Sequence, residues 1–268
     1  MQNAGISFLG RVWIRRGVFW ELIKRDIAGR YSGSFLGLLW SFLNPLLMLA
    51  VYTLAFREFL GMRWPDMATG ADFSLMIFAG MIVHTLMAEC IARAPTSIVG
   101  NVNLVKRVVF PVALLPCVTV VSALFNAGLS MSVLLLFVLV SHHSLSPNLL
   151  YLPFLFAPYA LLLCGVSWLM ASLGVFVRDI AQLAGIITTM LMFLSPVFYP
   201  ASSLHEPYST WLRYNPLTLI IEQTRGVVLF GRAPDWHALS LYTVIALAAL
   251  LFGYGWFHRT QDGFADVL

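Results

Sequence analysis

Charge is scarce in this sequence. Only 10% of its 268 residues are Asp, Glu, Lys or Arg, where an ordinary soluble domain carries about 25%. The seventy residues from Val108 to Val177 contain no formal charge. Lysine occurs twice, at Lys24 and Lys106, and neither follows a glycine. A Walker-type loop needs a Gly-Lys pair to cradle phosphates, so ATP hydrolysis by this chain alone is not expected. The three cysteines, Cys90, Cys117 and Cys164, stand singly in or near apolar runs. Without CxxC or paired spacing they argue against a disulfide framework. The G-x-S-x-G, H-E-x-x-H and paired-carboxylate signatures of hydrolases are missing. The centres of the apolar runs hold no Asp, Glu, Lys or Arg, the groups that ion-coupled carriers often place on an ion path. Residues 1–16 lack an apolar core followed by a small-residue cleavage site, so they do not read as a cleaved signal peptide. If the protein transports uphill, its energy is expected from another polypeptide.

What is abundant is apolar surface. Sixty per cent of the residues are hydrophobic and the mean hydropathy is +0.85, which describes a polytopic membrane protein. The net charge of +4 reads as topology and not as nucleic-acid binding, because the basic residues gather beside the spans. Residues 1–31 carry Arg11, Arg15, Arg16, Lys24, Arg25 and Arg30 against Glu21 and Asp26, and the positive-inside rule puts them in the cytoplasm. Within them Phe19, Leu22, Ile23, Ile27 and Tyr31 recur at helical spacing, with Glu21, Lys24, Arg25 and Arg30 largely off the stripe. This predicts an amphipathic helix at the membrane interface, with Arg30 at its boundary.

Apolar runs predict six spans, at about 32–56, 73–91, 113–140, 149–176, 180–198 and 238–257, followed by a cytoplasmic tail, 259–268. Both termini are then cytoplasmic. Gly29, Gly33 and Gly37, four apart, read as a helix face for close packing. Asn44-Pro45 reads as a kink, since proline removes a hydrogen bond and crowds the Ser41 carbonyl. His84, without an acidic partner mid-span, reads as a packing residue. His142-His143 in a loop supplies two metal-type ligands and no third. Residues 201–236 are too charged for a span and too apolar for a bare loop, which suits short re-entrant helices buried by protein.

Several stretches resemble the permease subunits of ABC-type polysaccharide exporters, which move O-antigen, capsule or teichoic-acid chains. They are Lys24-Arg25-Asp26, Arg30-Tyr31, Gly37 and Trp40-Ser41-Phe42-Leu43-Asn44-Pro45 at the start, then Asn103–Pro111 with Leu115-Pro116. Phe176-Val177-Arg178-Asp179, Ser195–Pro200, Tyr214-Asn215-Pro216-Leu217 and the tail Phe264–Leu268 follow in order. One departure is Gly80-Met81-Ile82-Val83-His84, where many members have Gly-x-x-Pro-Trp. The resemblance implies an all-α permease of six spans with a 32–258 transmembrane domain in the bacterial inner membrane. It also implies a homodimeric channel, two copies of a separate ATP-binding subunit carrying ATP and Mg, and an undecaprenyl-linked polysaccharide as cargo, O-antigen first. No cofactor or metal is expected on this chain. The competing classes are a membrane enzyme of lipid-linked sugar transfer and an ion-coupled carrier.

Two groups of residues follow from that function. A polysaccharide offers C–H faces on which aromatic rings can stack while the chain slides, so Trp40, Tyr52, Phe56, Phe193, Phe198 and Tyr199 are candidates for the substrate path. The cytoplasmic segment between spans two and three joins two helices, so Ser97, Asn101, Asn103, Lys106 and Arg107 are candidates for coupling to the ATP-binding subunit. Arg25, Asp26 and Arg30 on the interface helix join them.

Overall fold

The computed structural model describes residues 16–59, 70–106, 110–142, 145–203 and 205–268. Residues 60–69 between the first two apolar runs, Arg107 and His143-Ser144 lie outside these residues, as do the side chains of Phe56 and His142. The described residues are helical, with no strand among them. The all-α expectation holds.

The first helix, α1 (Arg16–Tyr31), lays Phe19, Leu22, Ile23 and Ile27 against Val118 and Val121. It stops where Gly33 takes a φ of +82°, and the chain turns again at Gly37, φ +51°. These left-handed conformations suit glycine. A Cβ at Gly29, Gly33 or Gly37 would meet nothing within 4 Å. The expected close-packing face is therefore absent; two of the three glycines break the helix instead. After a 3₁₀ turn, α2 (Trp40–Tyr52) contains Pro45 and widens into a π-helical segment, Thr53–Phe59.

α3 (Gly70–Arg93) is the centre of the molecule. Its apolar window is 72% buried, against 22–33% for the other long helices. Around it pack α2, α6 (Leu114–His142), α7 (Leu152–Phe176), α8 (Ile180–Phe193) and α10 (Pro216–Val228). Two one-turn helices, α4 (Thr96–Val99) and α5 (Val102–Val105), connect α3 to α6. A short helix, α9 (Tyr208–Tyr214), precedes α10. Asn215 caps α10 by accepting from the Leu217 N–H at 2.9 Å, and Pro216 occupies its first position, a combination favoured at helix starts.

α11 (Trp236–Thr260), capped by Asp235, lies against α7. The two approach so closely that a Cβ at Gly165 would overlap the Ala249 backbone, and one at Gly253 the Gly165 backbone. The last turn, α12 (Phe264–Val267), tucks Phe264 between Phe176 and Phe257.

Among the described residues, four helices are long and apolar enough to cross a membrane: Phe73–Arg93, Leu114–Ser141, Pro147–Phe176 and Trp236–Gly263. Trp40–Ala55 and Ile180–Phe193 are apolar but shorter. Three polar side chains inside this framework bond to carbonyls on other segments. Tyr159 donates to the Val83 carbonyl at 2.8 Å, and Trp168 to the Ala113 carbonyl at 2.9 Å. His84 pairs with the Thr188 carbonyl of α8 at 3.0 Å, which makes it the packing residue expected. Such bonds matter in a medium without water to replace them.

Candidate functional site: the charged end of the central helix

The last turns of α3 meet α1, and four side chains close a ring. Arg93 donates to Asp26 at 2.6 Å and to Glu89 at 3.2 Å. Arg30 pairs with Glu89 and, at 3.4 Å, with Asp26. The signs alternate around the ring and cancel. Asn126 of α6 adds a donor to Glu89 at 3.3 Å. Two (i, i+4) pairs, Asp26–Arg30 on α1 and Glu89–Arg93 on α3, build this arrangement by facing each other. Burial pushes the Asp26 carboxyl upward, but the Arg93 hydrogen bond and charge, with Arg30 behind, outweigh it and hold it below its ordinary value.

The ring corrects the stripe read from sequence. Asp26 and Arg30 lie on the inward face with Leu22, Ile23 and Ile27, and the Arg30 side chain is only 17% exposed. Of the interface-helix residues expected to couple to a partner, these two are engaged within the chain. Arg25 is exposed and donates to Asn101 at 3.3 Å. Asn101 in turn donates to the Ser97 carbonyl at 3.0 Å, and Ser97 to the Ala94 carbonyl at 2.7 Å. The α4–α5 elbow is thus joined to α1 by the Arg25–Asn101 contact beside a cleft of about 400 Å³. Asn103 and Lys106 remain exposed. Arg107 lies outside the described residues. The elbow also sits directly on α7, because Gly174 has no Cβ to collide with the Pro95 backbone.

The other side of the ring opens on a second cavity, of about 320 Å³, between α2, α3 and α6. Asn44, Pro45 and Tyr52 of α2 line it, with Thr85, Glu89 and Asn126 opposite. Tyr52 also packs on the buried Phe73–Met76–Ile77 group, so its ring faces its own helix bundle. The aromatics after α8 form a separate group. Phe193 is 62% exposed, its ring centre is 6.2 Å from that of Phe198, and the Tyr199 hydroxyl donates to the Phe193 carbonyl at 3.1 Å. Trp40 is half-buried at the start of α2. The candidate aromatics whose side chains are described, Trp40, Tyr52, Phe193, Phe198 and Tyr199, are therefore distributed over two places, α2 and the end of α8, both seated on α3. Among the described residues no group of three or more His, Cys, Asp or Glu side chains forms a metal-type cluster.

A family model described as ABC-2 type transporter matches residues 17–229. The chain belongs to the ABC-2 type transporter family. The matched region runs from α1 to the end of α10, so it takes in the charged ring, the elbow and the α8 aromatics. This ABC-2 chain is 25% identical over 263 residues to the O-antigen export system permease protein RfbA of Myxococcus xanthus, covering 97% of this chain and 99% of that one. It is 22% identical over 250 residues to RfbA of Klebsiella pneumoniae, with 92% and 93% covered. It is 22% identical over 242 residues to the polysialic acid transport protein KpsM of Escherichia coli, with 90% and 92% covered.

In the sequence, Glu89 and Arg93 stand only as charges at the end of the second apolar run. The usable signal was their spacing of four, matched by Asp26 and Arg30, since such pairs share a helix face. That two such faces meet is a tertiary fact.

Proposed function

We propose that this chain is the channel-forming membrane subunit of an ATP-driven exporter, and that its cargo is an undecaprenyl-linked polysaccharide. O-antigen is the first choice, with capsule and teichoic acid in the same class. The observation that carries the reading is collinearity: permeases of O-antigen and polysialic acid transport match this chain over 90% or more of its length. In this reading α2 and α8 cross the membrane beside the four long helices, giving six spans with both termini in the cytoplasm. α9 and α10 are re-entrant helices on the outer side.

ATP and Mg bind a separate subunit, present in two copies, which the α4–α5 elbow contacts. The permease itself is a homodimer. The exposed apolar faces of α2 (Phe42, Leu47, Val51) and α8 (Ile186, Met190, Phe193) suit lipid and a second copy better than water. Phe193, Phe198 and Tyr199 offer uncharged ring faces to a sliding glycan.

Purification of the chain from its native host tests the assignment. A stoichiometric ATPase partner is expected, whereas glycosyl transfer by the isolated chain would overturn it. For the substrate path, Phe193→Ala together with Tyr199→Ala lowers surface polysaccharide severalfold while the complex still assembles. Leu at both positions, which keeps bulk and removes the ring, is expected to fail as well. If Leu supports full export, stacking is not the mechanism.

A further inference from the structure

Arg225 lies at the opposite end of α3 from the charged ring. It is 1% exposed, and burying a guanidinium is costly unless it is fully hydrogen-bonded. Its bonds reach three elements. Nε donates to the Met76 carbonyl in α3 at 3.0 Å. Nη1 donates to the Pro196 carbonyl and Nη2 to the Val197 carbonyl, both at 2.6 Å, in the turn after α8. Glu222, one turn back in α10, accepts from Nη1 at 3.2 Å.

The turn needs these donors. α8 stops at Phe193, so the Leu194, Pro196 and Val197 carbonyls lie beyond its hydrogen-bond ladder and take donors from elsewhere. α10 supplies them. Besides Arg225, Asn215 donates to the Leu194 carbonyl and to the Ser195 hydroxyl oxygen, each at 2.9 Å. Room for the guanidinium comes from Gly80, where a Cβ would stand 2.8 Å from Nη2 and 3.3 Å from the Val197 Cα. A lysine ammonium, with its donors at a single point, could not reach carbonyls on both sides of this junction.

The same turn carries Phe198 and Tyr199 and follows Phe193. We propose that Arg225 is a positioning residue for export: it joins the end of α8 to α10, sets that end against α3, and so places these three aromatics. This rests on the chain being an exporter subunit.

The test uses the permease in complex with its ATP-binding partner, with three variants. Arg225→Met keeps the length and removes the donors, Arg225→Lys keeps the charge, and Gly80→Ala displaces an intact guanidinium. Two quantities are read: polysaccharide exported per ATP hydrolysed, and the rate at which a cysteine at the exposed Leu194 reacts with an impermeant thiol reagent. Arg225→Met and Arg225→Lys are expected to lower export per ATP at least tenfold and to change the labelling rate severalfold. Gly80→Ala is expected to shift both in the same direction by less. Export per ATP and labelling at the parent values in Arg225→Lys and Gly80→Ala would overturn the proposal. So would a fall of export and ATPase in step with the amount of complex, the mark of mere support. If Arg225→Met does not assemble, the other two variants decide. A labelling shift in a chain that carries no polysaccharide would uphold the positioning and sink the exporter reading instead.

Discussion

Asp26 sits where burial and charge oppose each other, and its lowered pKa reports which wins. A carboxyl held below its ordinary value stabilises the folded state at pH values above that ordinary value, 3.8. The contribution is lost as pH falls through the lowered folded value. The melting temperature of the purified protein should therefore drop on acidification below about pH 4, and Asp26→Asn should flatten that limb. The ring also makes a prediction about additivity. Asp26→Asn and Arg93→Gln share a contact, so their combined destabilisation should fall short of the sum by about 1–2 kcal/mol. Additive losses would mean that the ion pair contributes nothing. Exchanging the two charges is not expected to restore stability, because in an alternating ring it sets Arg beside Arg30 and Asp beside Glu89.

At the scale of elements, the α4–α5 elbow is the strongest candidate for receiving a partner's motion. Its exposed Asn103 and Lys106 point away from the contacts that hold it, and it rests on α7 through Gly174 and Pro95. Gly174→Ala would force the Pro95 backbone off α7, a strain of roughly 1–3 kcal/mol. Stimulation of the partner's ATPase by the permease should then fall severalfold more than the yield of assembled complex does. Unchanged stimulation would remove α4 from the coupling path. α1 is clamped to α3 by two acid–base pairs and to α6 by Leu22 and Ile23.

At the scale of the whole molecule, the arrangement has two ends. The ring and the elbow gather at the last turns of α3, while Arg225, Asn215 and the α8 aromatics gather at its first turns. In the proposed topology these ends face the cytoplasm and the outside. Cysteines introduced at Asn103 and Ser203, in a background lacking Cys90, Cys117 and Cys164, test this directly. An impermeant thiol reagent added to intact cells should label the Ser203 position and spare the Asn103 position. The reverse pattern would reject the six-span orientation.

The all-α fold came with the family resemblance. The membrane class was determined by composition and the approximate run of apolar segments by their order along the chain, because hydrophobic length is a local property of the chain. The proline inside α2 and the clustering of basic residues along α1 were legible for the same reason. Family membership was carried by motifs strung along the chain. Pairings between distant segments were not legible. Asp26 and Arg30 read as candidates for contact with a partner until α1 was laid against α3, and Arg225 was one charge among several in residues 201–236 until Gly80, Met76 and Val197 closed around it. Gly33 and Gly37 had the spacing of a packing face, yet their backbone angles make them breaks. In each case the deciding quantity was which surface met which, and that depends on helices separated by tens to well over a hundred residues.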